Sequence, residues 1–250
     1  MKERNFMLMA FLKIKNRLAF IVILVVALAF VNASNSEAAK MLKKGETFRY
    51  MIKKLGIKAG DASLEFKGEA EIAGRKALLI VFTSEGFNFY DQEKIYLDPE
   101  TYFPIAVDRD LNIFGNKEKI KERYDALKGS VNISKMVKSE LQEITIKKEL
   151  PLDNLYCFIY RLRKSAKLEV GNSFDIILPT ADVKIEVKDK VEFEAMNKKF
   201  KSFFMQSVPK KYRIWFDDSE EMIPLRIDGA VGFGKTSMVL TEILYGGEVK

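Results

Sequence analysis

Histidine is absent from the 250 residues, cysteine and tryptophan occur once each, and proline occurs six times. Without histidine the chain cannot build a Ser-His-Asp triad, a Cys-His pair, or a histidine-ligated zinc or haem site. A single cysteine, Cys157, excludes an internal disulfide. Stability must therefore come from the hydrophobic core. Cys157 lies between Tyr156 and Phe158 without the usual base, which reads as a small buried apolar residue and not a nucleophile. EF-hand spacing is also missing. The acid pairs Asp217-Asp218 and Glu220-Glu221 sit in a turn-like stretch and read as solvated acids, not as a glycosidase pair across a cleft. No catalytic residue, metal site or cofactor is expected.

The N-terminus differs from everything after it. Met1 to Arg17 carries Lys2, Arg4, Lys13, Lys15 and Arg17 against Glu3. Fourteen uninterrupted apolar residues follow, Leu18 to Val31, and then the small, polar stretch Asn32 to Ala39. This order is that of a secretory signal. The apolar run is short for a membrane span, which needs about 20 residues. Residues 1–39 are expected to be a signal peptide and 40–250 a single β-rich domain of two halves, 40–125 and 130–250. The alternative is an uncleaved anchor. No cysteine stands near the leader, so no lipidated N-terminal cysteine is expected. The formal charge is +7, and the leader's five basic and two acidic residues leave 37 basic against 33 acidic elsewhere, a mild +4. That balance does not argue for nucleic acid. It does allow peripheral attraction to an anionic membrane.

Most of the remaining chain alternates polar and apolar residues with period two, the pattern of half-buried strands. Ala62, Leu64 and Phe66 point one way and Ser63, Glu65 and Lys67 the other. Val183, Ile185 and Val187 alternate with acids and lysine, as do Val191, Phe193 and Ala195, and Lys188-Asp189 between them reads as a hairpin turn. One segment departs from the pattern. After Pro151, Asp153 can cap a helix over about 153–164 with the apolar stripe Leu155, Tyr156, Ile159 and Leu162. Arg161, Arg163 and Lys164 suit its C-terminal end. The fold expected is mainly β: an antiparallel meander forming an open barrel or two curved sheets, with one short helix.

An internal echo is visible. Lys94–Asp98 and Arg213–Asp217 are each followed by an acidic turn and then by a strand opening on Pro104 or Pro224. Turn chemistry alone favours these residues, so a hairpin solution used twice and a true duplication both fit. Gly229 to Thr236 matches the phosphate-binding pattern G-x-x-x-x-G-K-[ST] through Gly229, Gly234, Lys235 and Thr236. That mechanism needs a following helix, whereas Ser237 to Tyr245 reads as a strand. The match is taken as chance, with no nucleotide site. The aromatic residues Phe87, Phe89, Tyr90 and Trp215 are the candidates for contact with an apolar ligand. The alternative for such runs is strand core with a lysine-guarded edge.

Several stretches together resemble domain-of-unknown-function family 3108, a group of exported bacterial proteins. They are Gly45–Tyr50, Leu55–Leu64, Lys94–Pro104, Asp153–Gly171, Tyr212–Asp218 and Ile223–Leu225. The resemblance implies a β-rich envelope protein without assigned activity or catalytic residues. More loosely, the hairpins look like those of periplasmic lipoprotein carriers, open β-barrels around an apolar cavity, a likeness at fold level only. The expected role is non-catalytic: binding a lipid or other apolar ligand in an open barrel, periplasmic or secreted. The alternative is a module that docks on another envelope protein. If the leader is removed, intact-mass analysis of the exported protein will place its first residue at Ser34 or Ala39, after Ala33 or Ala38; a mass that includes Met1–Arg17 would establish an anchor instead.

Overall fold

The computed structural model describes residues 42–149, 151–165, 167–231 and 235–246, so the leader expected over 1–39 lies outside the described residues. Fourteen strands and one helix follow in order. The first eight strands are β1 (Thr47–Lys54), β2 (Ile57–Ile72), β3 (Arg75–Gly86), β4 (Phe89–Leu97), β5 (Pro104–Ile113), β6 (Asn116–Asp125), β7 (Ser130–Val137) and β8 (Glu140–Lys147). Helix α1 (Leu155–Ser165) comes next. The remaining strands are β9 (Ser173–Leu178), β10 (Ala181–Ala195), β11 (Lys198–Val208), β12 (Arg213–Asp217), β13 (Pro224–Asp228) and β14 (Thr236–Leu244). No helix among the described residues is long and apolar enough to cross a membrane.

All strands are antiparallel and form one sheet in the order β8-β7-β6-β5-β4-β3-β2-β1-β14-β13-β12-β11-β10-β9. Strands that are neighbours in the sheet are consecutive in sequence except at one seam. There β1 pairs with β14, with Met51 opposite Val239 and Ile52 opposite Met238. The strands on either side of residues 125–130 thus belong to a single sheet. Its two edges are β8 and β9, and the chain between them carries α1.

Period-two alternation sets one buried face. Phe48, Tyr50 and Ile52 of β1 share it with Leu64 and Phe66 of β2 and with Ile80 and Phe82 of β3. On the far side of the seam Ile214 and Phe216, Leu225 and Ile227, and Met238 and Leu240 continue it. This face curls around α1. Tyr156 stacks on Phe82 of β3 at 4.6 Å between centroids, Tyr160 on Phe66 of β2 at 5.7 Å, and Phe158 meets Phe174 of β9 edge-on at 5.8 Å. Strands well apart in the sheet order therefore touch one helix. Near the open edge, Lys148 pairs with Asp182 at 3.1 Å, bringing the ends of β8 and β10 together. The sheet is strongly curved but not closed.

The helix matches its sequence signal in place but not in detail. Its cap is Asn154, whose Oδ1 accepts from the Tyr156 and Cys157 backbone N–H groups at 2.8 and 3.4 Å. Asp153 instead accepts from Arg161 Nη2 at 2.5 Å and from the Asn154 N–H at 2.8 Å. The apolar stripe is wider than four residues, because Tyr156 to Tyr160 are all buried. A helix buried on every side belongs inside a core. Cys157 is buried there too, and burial pushes its thiol well above the ordinary value.

A second departure concerns Lys188-Asp189. The alternation changes phase there because β10 carries a bulge, with the register shifting between Val187 and Asp189 opposite Met205 and Phe204. An extra residue in one strand produces the same phase change as a two-residue turn. Beyond the bulge the β10–β11 hairpin curls over the outer face. Ala195 and Met196 there share a cleft of about 350 Å³ with Met51 and Val239.

The two echoed hairpins share detailed geometry. Asp98 Oδ1 accepts from the Glu100 and Thr101 N–H groups, and Asp217 accepts from Ser219 Oγ and the Ile223 N–H. A buried residue with positive φ precedes the second strand in each, Tyr102 at 60° and Met222 at 45°. Both hairpins also carry a bulge opposite the proline, so Leu97 meets Pro104 and Phe216 meets Pro224.

The far end of α1 is fixed by a buried ion pair. Arg163 Nη1 and Nη2 donate to Glu46 Oε2 and Oε1 at 2.7 and 3.0 Å, and the guanidinium lies 4.7 Å from the Phe48 ring. Both side chains are only 3% exposed. Removing one partner of such a pair strands the other charge, at a cost of about 3–5 kcal/mol. Arg163→Met is expected to lower stability by that amount in urea unfolding. Adding Glu46→Gln to Arg163→Met is expected to recover much of the loss.

Candidate functional site

Antiparallel order places the β1–β2, β3–β4, β5–β6 and β7–β8 turns together at one end of the curl. A cavity of about 280 Å³ opens there, lined by Ile52, Lys54, Ala59, Phe87, Phe89, Phe114 and Thr236. Phe89 lies on the buried face at the start of β4, opposite Gly86, which itself faces Gly60. These glycines have a specific reason. A Cβ on Gly86 would lie 2.3 Å from both the Ala59 carbonyl oxygen and the Phe89 ring. A Cβ on Gly60 would lie 2.1 Å from the Glu85 carbonyl oxygen and 3.0 Å from that ring. The ring thus crosses two bare backbones and forms the cavity floor, while Phe87 and Phe114 stand on neighbouring turns as its rim.

The aromatic candidates separate. Phe87 and Phe89 come together in this cavity. Tyr90 points to the outer face of β4, where burial and the nearby Asp110 and Glu85 raise its phenol pKa. Trp215 is also on the outer face, 5.7 Å from Phe193 and 4.8 Å from Phe204 by centroids, with the Arg226 guanidinium 4.8 Å from its ring. It holds the curled β10–β11 hairpin against β12. Gly229 turns with φ +83° after β13, and Thr236 opens β14, so a strand follows where phosphate binding would need a helix.

Ile52, Ala59 and Phe114 escaped the sequence reading. Their meeting depends on strand order, although Phe114-Gly115 in a turn was a usable signal. A polar cluster also escaped it. Arg109 of β5 holds Asp91 of β4 in a two-point contact at 2.7 and 2.6 Å, and its Nε lies 3.5 Å from Glu93. Glu122 of β6 joins them and accepts from Tyr124 Oη at 2.5 Å. One guanidinium therefore faces three carboxylates on the buried face. The Tyr156 hydroxyl of α1 is buried above them without a hydrogen-bond partner. No group of three or more His, Cys, Asp or Glu suited to a metal ion occurs among the described residues. A cleft of about 430 Å³ on the outer face is lined mainly by charged and hydroxyl side chains, among them Arg49, Asp61, Ser63, Thr83 and Glu85.

Fold and cavity define the class: an open, curled antiparallel sheet filled by its own helix, with an apolar cavity at one rim. The chain belongs to the family described as a protein of unknown function, DUF3108, matching it over residues 47–241. Among solved structures it is similar to a β-barrel-like protein of domain of unknown function DUF1849 from Brucella abortus. That likeness has 9% identity and a TM-score of 0.48, covering 82% of this chain and 99% of that one. It is more distantly similar to a protein provisionally described as a lipoprotein from Parabacteroides distasonis. There the identity is 10% and the TM-score 0.26, over 80% of this chain and 95% of that one. No curated protein matches.

The acidic cluster has a consequence for pH. Burial, and then the charges of Asp91 and Glu122, outweigh Arg109 and push the Glu93 carboxyl from an ordinary 4.5 up to about 7. Between these values the folded protein holds a proton that the unfolded chain releases. Stability from this group is therefore present at low pH and is lost as pH rises from 4.5 through 7. Around it stand Asp91, Arg109, Glu122 and Tyr156, with Phe82 its cross-strand neighbour. Glu93→Gln is expected to stabilise the protein at pH 8 by on the order of 1 kcal/mol and to leave it nearly unchanged at pH 5. Denaturant midpoints of both proteins at the two pH values check this.

Proposed function

We propose that the chain is a non-catalytic envelope protein that holds the end of an apolar chain, such as an acyl group, in the rim cavity. The carrying observation is the cavity itself: Ile52, Ala59, Phe87, Phe89 and Phe114 around about 280 Å³, with Lys54 at its edge. Ligand pockets are concave, mostly apolar and supplied with few polar groups, a pattern this one follows. Its size, about 280 Å³, falls just below the usual range of about 300–1,000 Å³. It therefore suits one end of a hydrocarbon chain, with Lys54 placed to meet a carboxylate or phosphate head. The curl's interior is not the binding volume, because α1 fills it.

That filled interior also supports a second reading, an interaction module for another envelope protein. Every residue of β8 except Ile146 is exposed, and among the described residues only β7 pairs with it. Such an edge can accept a partner strand.

A fluorescent fatty-acid probe distinguishes the two. The acyl reading expects saturable binding that Ala59→Leu, which fills the cavity, weakens by at least about tenfold without lowering the melting temperature. Absence of probe binding, together with no lipid in solvent extracts of the purified protein, would refute it.

A further inference from the structure

Four large apolar side chains at the cavity rim face solvent almost completely. Exposure is 84% for Leu55, 74% for Ile57, 86% for Phe87 and 70% for Phe114. They occupy three turns that follow one another along the sheet, β1–β2, β3–β4 and β5–β6. With strands about 4.8 Å apart, the three tips span roughly 20 Å of rim. A cluster of this kind is not the scatter of single apolar residues that every surface carries.

The backbone supplies an independent argument. Leu55-Gly56 and Phe114-Gly115 form tight turns with φ of 52° and 85°, and 50° and 85°. Turns of this shape favour Asn or Asp before glycine, since those side chains tolerate the left-handed region. Leucine and phenylalanine are disfavoured there by sterics and disfavoured again by exposure. Neither residue serves the core, so folding does not account for the choice.

Charge completes the pattern. Lys53, Lys54 and Lys58 flank the first tip, Lys117 flanks the third, and Lys138 lies in the β7–β8 turn. Lys58 pairs with Asp61, while Lys53, Lys54, Lys117 and Lys138 make no ion pair among the described residues. Acids near this end are fewer: Asp61, Glu85, Glu118 and Glu140, of which Asp61 is paired with Lys58 and Glu118 with Lys135. The turns at the opposite end are mixed in charge: Glu69, Glu71, Asp98, Glu100 and Asp125 stand there with Arg75, Lys76 and Lys128, and Arg75–Asp98 and Lys128–Asp125 are ion pairs.

We propose that this rim is a docking surface for an anionic lipid bilayer, with Leu55, Ile57, Phe87 and Phe114 entering the headgroup boundary and the lysines meeting lipid phosphates. Interfacial binding combines buried apolar surface with attraction of Lys to anionic headgroups, and both are present here. The inference deepens the reading of the cavity, which then opens toward the membrane, but it rests on different side chains.

The test uses the full chain with one reporter. Cys157 is buried, so an environment-sensitive dye on Asn116→Cys labels the third tip alone. On vesicles of phosphatidylcholine with about one-third phosphatidylglycerol, its emission is expected to shift to the blue and rise roughly two- to fourfold. Pure phosphatidylcholine vesicles, and a label on Lys76→Cys at the opposite end, are expected to give little change. Leu55→Asn with Ile57→Thr is expected to weaken the response at least about tenfold while the melting temperature holds or rises, since Asn suits the turn. Neither residue lines the cavity, so probe binding should persist in this variant. Loss of probe binding with the vesicle response intact would refute the cavity reading alone. An unresponsive tip, an equal response to neutral vesicles, or crosslinking of the tip lysines to a protein in place of lipid would overturn the docking proposal.

Discussion

Three aromatic side chains on one turn and a half of helix hold this molecule in its shape. Tyr156, Phe158 and Tyr160 face β3, β9 and β2 in turn, so α1 touches strands that the sheet order keeps far apart. A fourteen-stranded antiparallel sheet must curl, split or flatten, and here the helix gives it something to curl around. Burial of the helix on all sides also explains why polar anchors gather at its ends. Asn154 caps it, Asp153 and Arg161 pair beside its start, and Glu46 neutralises Arg163 at its finish.

The filled interior moves the search for function outward. Space inside the curl is taken by Tyr156, Phe158, Ile159 and Tyr160, so an apolar ligand has to be met at the rim. The acidic cluster under Tyr156 is a local cost of this arrangement, since Arg109 cannot balance Asp91, Glu93 and Glu122 together. It weakens the seat of the helix as pH rises, whereas the Glu46–Arg163 pair keeps the opposite end of α1 in place.

Much of the fold could be read from the sequence, and the failures have physical causes. Alternation located the strands because one face is wet and the other dry, and the break after Pro151 located the helix. The helix cap moved from Asp153 to Asn154 because a nearby arginine claimed the aspartate. At Lys188-Asp189 a bulge and a turn leave the same trace in the pattern, and only the partner strand separates them. Of the aromatic candidates, Phe87 and Phe89 share the cavity, while Tyr90 and Trp215 lie on the outer face. Period two assigns a face relative to neighbours but does not say which face is the inner one. The cavity partners Ile52, Ala59 and Phe114 are distant in sequence, and register alone unites them. Leu55-Gly56 and Phe114-Gly115 did carry a local signal, an apolar residue where such a turn favours Asn or Asp.

Hydrogen–deuterium exchange of the full chain, with and without anionic vesicles, tests the central claim that contact is made at the rim while the helix stays seated. The account predicts added protection confined to about residues 53–58, 86–90 and 112–117, with amides of 155–165 slow in both states. Rapid exchange of the helix on contact with lipid, or protection centred on β8 instead of the turns, would contradict it.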